Sequence, residues 1–181
     1  KIISSYAFSS SKIEEVYIPE NVSKICDHAF FECYNLKKVE IPTNSNLQTI
    51  EENAFSFTKI EDIFIPKNVS KISEFVFYKC SNLKKVEIPI NSSIQIIKHF
   101  AFKESKIEEI FIPSNVLKIC DYAFYKCSNL KKVEIPINSN LQIIEEYAFA
   151  ESKVEEIFIP SNVSKICESA FRDCYNLKKV V

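Results

Sequence analysis

The chain has 181 residues, a formal net charge of −1 and 46% hydrophobic residues. That content fills a core and argues against disorder, while near-neutrality gives no electrostatic case for nucleic acid or an anionic membrane surface. No apolar run approaches the roughly 18 residues of a membrane-spanning helix and no signal peptide is visible at the start, so direct membrane insertion is not expected.

The first element is Ala7-Phe8. It is followed by the acidic pair Glu14-Glu15, then by Val16 and Ile18 alternating up to Pro19, and by a turn holding Asn21 and Val22. Lys24 opens KICDHAF, and the same order returns through Ala29-Phe30, Lys37-Lys38, Val39, Ile41, Pro42 and Asn44. The pattern restarts 47 residues later at Lys71 (KISEFVF), and again at Lys118 (KICDYAF) and Lys165 (KICESAF). Each 47-residue unit splits into a shorter and a longer half of 22 and 25 residues, typified by residues 96–117 and 118–142. Self-similarity at this period predicts a stack in which no unit buries its apolar face alone.

Period-two alternation of β-branched residues before each proline predicts a short strand. All seven prolines (19, 42, 66, 89, 113, 136, 160) follow such a run. Proline donates no ladder hydrogen bond, so it ends the strand at one place in every coil. Strands that run the same way in successive coils pair in parallel. Between them the apolar residues Ile119, Ala123 and Cys127 step by four, which predicts one or two helical or 3-10 turns. Glycine is absent, so the recurrent asparagines (21, 44, 68, 91, 115, 138, 162) are the residues expected to take left-handed turn positions. Eight of the fifteen phenylalanines (8, 30, 55, 77, 102, 124, 149, 171) recur at one point of the coil and predict a ladder.

Leu36, Val39, Ile41 and Asn44 match the leucine-rich repeat pattern, as do Ile60, Ile63, Ile65 and Asn68. The sentence KICDHAFFECYNLKKVEIP, with Val22 in the matching turn of the preceding half, resembles the BspA-like leucine-rich repeat family over essentially the whole chain. Two departures stand out: Cys26, Ser73, Cys120 or Cys167 replaces the family glycine, and the cysteine after Ala-Phe survives only in the longer halves. The expected architecture is a right-handed leucine-rich-repeat solenoid of about eight coils spanning residues 1–181. It has one parallel β-sheet face and short helical or 3-10 segments on the other. Because the chain starts inside a repeat and stops inside a strand motif, it reads as a segment of a longer protein.

On the sheet face, the residue between the two inward ones points out. It is Tyr17, Phe64, Phe111 or Phe158 in shorter halves and Glu40, Glu87 or Glu134 in longer ones. Exposed aromatics mark interaction sites, so these residues, with Lys38, Lys85 and Lys132, form the candidate protein-binding face. The competing reading has each ring packed on neighbouring lysine and glutamate stems. Acidic pairs (Glu14-Glu15, Glu61-Asp62, Glu108-Glu109, Glu155-Glu156) alternate with lysine pairs (37-38, 84-85, 131-132, 178-179) one coil away. That arrangement predicts a cross-strand ion ladder which fixes register.

Cys26/Cys33, Cys120/Cys127 and Cys167/Cys174 are spaced by seven. Seven helical residues rise about 10.5 Å, beyond the roughly 7 Å Cα limit of a disulfide, so the seven cysteines read as free, mostly buried thiols. Ligands strung along a ladder are not expected to converge on zinc, and His28 and His99 read as exposed and inert. No phosphate-binding glycine loop is possible without glycine, and no nucleophile–base pair is apparent in the sequence. The reading is therefore non-enzymatic, without cofactor or metal.

The family resemblance implies a cell-surface or secreted adhesion module that binds a protein ligand, such as a host matrix or cell-surface protein. A structural spacer and an intracellular interaction scaffold remain open alternatives, the second favoured by unpaired cysteines. End-to-end self-association through the terminal coils is a further expectation. Asn21, Asn68, Asn91 and Asn162 begin glycosylation sequons, relevant only in a secreted chain.

Overall fold

The computed structural model describes every residue from Lys1 to Val181. The chain winds into stacked coils through sixteen strands of two or three residues. In chain order they are β1 Ile2–Ile3, β2 Glu15–Tyr17, β3 Lys24–Ile25, β4 Lys38–Glu40, β5 Thr49–Ile50, β6 Asp62–Phe64, β7 Lys71–Ile72 and β8 Lys85–Glu87. They continue with β9 Ile96–Ile97, β10 Glu109–Phe111, β11 Lys118–Ile119, β12 Lys132–Glu134, β13 Ile143–Ile144, β14 Glu156–Ile157, β15 Lys165–Ile166 and β16 Lys179–Val180.

Even-numbered strands form one column and odd-numbered strands another, and all pairing is parallel. The first column is the expected face, but it is not one unbroken sheet. It pairs as β2-β4, β6-β8 and β10-β12-β14-β16. Where β4 meets β6 and β8 meets β10, the coils are joined just ahead of the strand, as they also are at the paired β12-β14 step. The Glu61 N–H donates to Lys37 O and the Glu108 N–H to Lys84 O, each at 3.1 Å.

The second column replaces the expected helical or 3-10 face. No helix forms anywhere in the coil. The Lys-Ile positions are strands, and Ala-Phe sits in consecutive tight turns. The Ala29 N–H donates to Cys26 O, the Phe31 N–H to His28 O and the Cys33 N–H to Phe30 O, each three residues back. The amides in between bond the next coil: Phe30 N–H to Ala54 O at 2.9 Å and Phe77 N–H to Ala101 O at 2.8 Å. With alternate amides committed between coils, the i→i−4 pattern of a helix has no donors left. The step of four that resembled a helix is the step of these turns.

Each turn pair needs left-handed backbone. Sixteen residues have φ between 52° and 61°, among them His28, Glu32, Phe75, Lys79, Tyr122 and Lys126. None of the seven recurrent asparagines is among them, contrary to expectation. Their turn starts at proline, whose carbonyl accepts the N–H three residues on, as from Val22 to Pro19 O at 3.0 Å. Such a turn closes without leaving negative φ. In the longer halves buried Ser45, Ser92 and Ser139 accept the N–H groups of Leu47, Ile94 and Leu141 through Oγ at 3.1–3.3 Å. These bonds satisfy the two extra turn residues.

A single core of 46 buried residues runs the length of the stack. Its spine is the predicted phenylalanine ladder. Phe30, Phe55, Phe77, Phe102, Phe124, Phe149 and Phe171 follow one another with ring centroids 4.9–5.9 Å apart. Beside it lies a second row, not foreseen, in which the left-handed residues Phe75, Phe100, Tyr122 and Tyr147 stack at 4.6–5.1 Å. Favourable aromatic contact of this kind, about 0.5–1.5 kcal/mol per pair, offsets part of the left-handed strain.

Candidate ligand-binding face

The inward residues of the first column, Val39, Ile63, Val86, Ile110 and Val133, are buried, so the residues on either side of each must face solvent. Parallel register sets Tyr17 opposite Glu40, Phe64 opposite Glu87 and Phe111 opposite Glu134. Phe158 follows β14 directly and lies outside the strand. The structure therefore brings the predicted aromatics onto one face, on alternate coils. Tyr17 is 59% exposed. Phe64, Phe111 and Phe158 are half-buried, with Phe64 packed against the edge of the core.

The lysines of this face do not form the cross-strand ladder. Lys37 does reach Glu14 in the neighbouring coil, at 3.3 Å. Lys38, Lys85 and Lys132 instead pair with Glu40, Glu87 and Glu134 two residues ahead on their own strands, the latter two at 3.5 and 3.0 Å. Residues i and i+2 of a strand share a face, so the carboxylate ahead competes with those in flanking coils. The Glu40 hydrogen bond, reinforced by the charges of Glu40, Glu15 and Asp62, holds the Lys38 ammonium above its ordinary pKa. Glu134 does the same for Lys132. A cleft of about 240 Å³ opens among Lys85, Glu87, Glu109, Phe111, Lys132 and Glu134. The face thus presents single aromatic rings framed by Lys–Glu pairs. It suits contact with an extended surface better than enclosure of a small molecule.

Sequence reading missed a larger groove of about 650 Å³, just ahead of the even-numbered strands and crossing several coils. Tyr34, Phe57, Lys79, Lys106, Glu104 and Glu151 help to line it. Lys79 lies 5.6 Å from the Phe57 ring centroid and 3.7 Å from Glu104, and the Lys106 ammonium donates to Ser128 Oγ at 2.6 Å. The available signal was the recurrent Lys59, Lys106 and Lys153 after Thr or Ser, which by itself reads as a solvated edge.

The seven cysteines are free. Cys33, Cys80, Cys127 and Cys174 each donate through Sγ to the carbonyl of Phe8, Phe55, Phe102 and Phe149 one coil back, at 3.0–3.1 Å. They also pair with Ser11, Thr58, Ser105 and Ser152 at 3.4–3.6 Å. Burial pushes the Cys80 and Cys127 thiols up to about 12, so they are structural and not nucleophilic.

Of the two histidines expected to be exposed, His99 has a 39% exposed side chain and His28 does not. His28 is half-buried and stacks on Tyr6 at 4.7 Å. His99 Nδ1 lies 3.4 Å from Asp121 Oδ2. At one place along the ladder, potential ligand atoms do come near one another. His99, Cys120 and Glu145, from three successive coils, bring one ligand atom each within 4.8 Å of the others. Stacking, not sequence proximity, makes this cluster.

Comparison with known proteins agrees with this architecture. The sequence matches the BspA type leucine rich repeat region in six copies, over residues 1–131 and 95–181. The fold is similar to a leucine-rich repeat protein from Eubacterium ventriosum (24% identity, TM-score 0.80, covering 95% of this chain and 45% of that one). It is also similar to one from Bacteroides ovatus (24%, 0.71, 99% and 58%), and to the T. pallidum leucine-rich repeat protein (23%, 0.69, 98% and 71%). The chain thus spans about half the length of the first two. No curated protein matches it.

Proposed function

We propose that this chain, which belongs to the BspA-type leucine-rich repeat family, is a non-enzymatic protein-binding and adhesion module of a cell-surface protein. Its ligand lies across the column of even-numbered strands. One observation carries the reading: Tyr17, Phe64 and Phe111 recur at one register position on alternate coils, each opposite a glutamate that is ion-paired to a lysine. Rings of this kind are favoured anchors at interfaces, and the charged pairs around them form a polar rim. The surface location rests on the family resemblance.

The test is binding of the whole chain to immobilised extracellular matrix, before and after the double substitution Phe64→Glu and Phe111→Glu. Loss of binding by at least about tenfold, the effect of losing one interface anchor, with an unchanged circular dichroism spectrum is the expected result. Full binding by the double variant overturns the reading. An intracellular interaction scaffold is the second reading, favoured by seven free cysteines. Locating the protein in its own cells by antibody accessibility separates the two.

A further inference from the structure

We propose that His99, Cys120 and Glu145 form a zinc-binding site across three successive coils. They offer imidazole, thiol and carboxylate, three of the ligand types zinc prefers. Their ligand atoms lie within 4.8 Å of one another. Zinc bonds of about 2.0–2.3 Å require the three atoms to close in on a common centre from that spacing. Positions equivalent to this cluster recur along the stack, but histidine at the residue of His99 occurs once.

An internal comparison supports the assignment. Cys26 and Glu51 stand 94 residues before Cys120 and Glu145, at the same points of the coil, with Ser5 where the later cluster has His99. In the earlier copy Glu51 Oε1 pairs with Lys24 at 2.7 Å, and Glu51 Oε2 accepts the Asp27 N–H at 3.3 Å. In the later copy Glu145 Oε1 pairs with Lys118 at 2.6 Å, but Glu145 Oε2 is buried and lacks the backbone N–H that Glu51 Oε2 has, with the Cys120 thiol as its neighbour. A buried carboxylate oxygen left with at most a weak thiol donor is under-satisfied, and here it belongs to the carboxylate that meets the thiol and the imidazole. A metal ion would satisfy it.

The surroundings fit a cation. Asp121 Oδ2, 3.4 Å from His99 Nδ1, is the kind of outer carboxylate that orients a ligating imidazole. The two nearby lysines are both neutralised, Lys118 by Glu145 and Lys98 by Glu74 at 3.4 Å. The His99 side chain is 39% exposed, which gives an entry path. Cys120 is 1% exposed, so the same trio is poorly built as a thiol nucleophile, which must reach solvent and substrate. On binding, Zn²⁺ forms a bond to Cys120 Sγ and the thiol proton leaves to solvent; no electron is transferred.

Zn²⁺ added to the whole reduced chain, in competition with a chromophoric chelator, tests the site. One equivalent should bind, and Co²⁺ in its place should show a thiolate-to-cobalt charge-transfer band. Cys120→Ser should abolish that band, and His99→Ser and Glu145→Gln should each weaken Zn²⁺ binding at least about tenfold. Cys26→Ser, at the equivalent place without histidine, should leave both unchanged. Absence of stoichiometric Zn²⁺ binding overturns the proposal, as does a Cys26→Ser variant impaired as much as Cys120→Ser. Should Cys120→Ser fail to fold by circular dichroism, His99→Ser decides alone, since its half-exposed side chain is outside the core.

Discussion

Phe102 and Phe124 lie in adjacent coils with ring centroids 5.1 Å apart and planes 5° from parallel. Both are fully buried, and the amide of Phe102 donates to Ala123 O at 2.8 Å. Side-chain stacking and the coil-to-coil backbone bond thus fix the same spacing. The ladder is a property of the stack that no single coil possesses.

Truncating this spine should therefore be severe. Phe102→Ala is expected to cost about 3–5 kcal/mol, the range for emptying a buried aromatic site. Half-buried Phe64→Ala should cost much less, roughly 1 kcal/mol at the half-burial of its area. Chemical denaturation of both variants checks the contrast; equal costs would argue against a continuous core.

Left-handed backbone without glycine leaves room for stabilisation. Ser169 has φ of 59°, a conformation that costs an ordinary residue about 1–2 kcal/mol. Glycine removes that strain but adds about 0.4–1 kcal/mol of unfolded-state freedom. Ser169→Gly is expected to raise the urea midpoint slightly, and β-branched Ser169→Val to lower it clearly. The reverse order would show that this turn does not constrain φ.

The buried thiols make stability fall in alkali. Cys80 is raised from 9.0 to about 12 by burial. Its protonated form is favoured in the folded chain, so its contribution is complete below pH 9.0 and is lost as pH rises toward about 12. The parent chain should lose more stability over that window than Cys80→Ser, measured by urea midpoints at each pH. At neutral pH a thiol reagent should modify half-buried Cys26 and Cys167 first, and all seven only in denaturant.

The Lys–Glu pairs of the even-numbered column are exposed, so Lys85→Gln and Lys132→Gln should each change stability by no more than about 1 kcal/mol. Added salt should shrink even that difference. A larger loss by either variant would mean that the pair orders the sheet.

The sequence by itself determined the stack. The period, the prolines and the phenylalanine ladder are repetitive and local, and repetition multiplies a weak signal until the architecture is unambiguous. It also placed Tyr17, Phe64 and Phe111 on one face, because strand alternation is fixed by backbone geometry. What lies between strands was not legible: a step of four residues describes consecutive turns as well as a helix. Only coil-to-coil hydrogen bonds, which take alternate amides, decide between them. Nor could the sequence choose partners for the charges, since Lys38 has carboxylates on three sides and pairs with Glu40. The meeting of His99, Cys120 and Glu145 was likewise decided by tertiary structure alone. Stacking brings ligand atoms of residues more than twenty positions apart in sequence within 4.8 Å of one another, and no spacing rule along one coil encodes that approach.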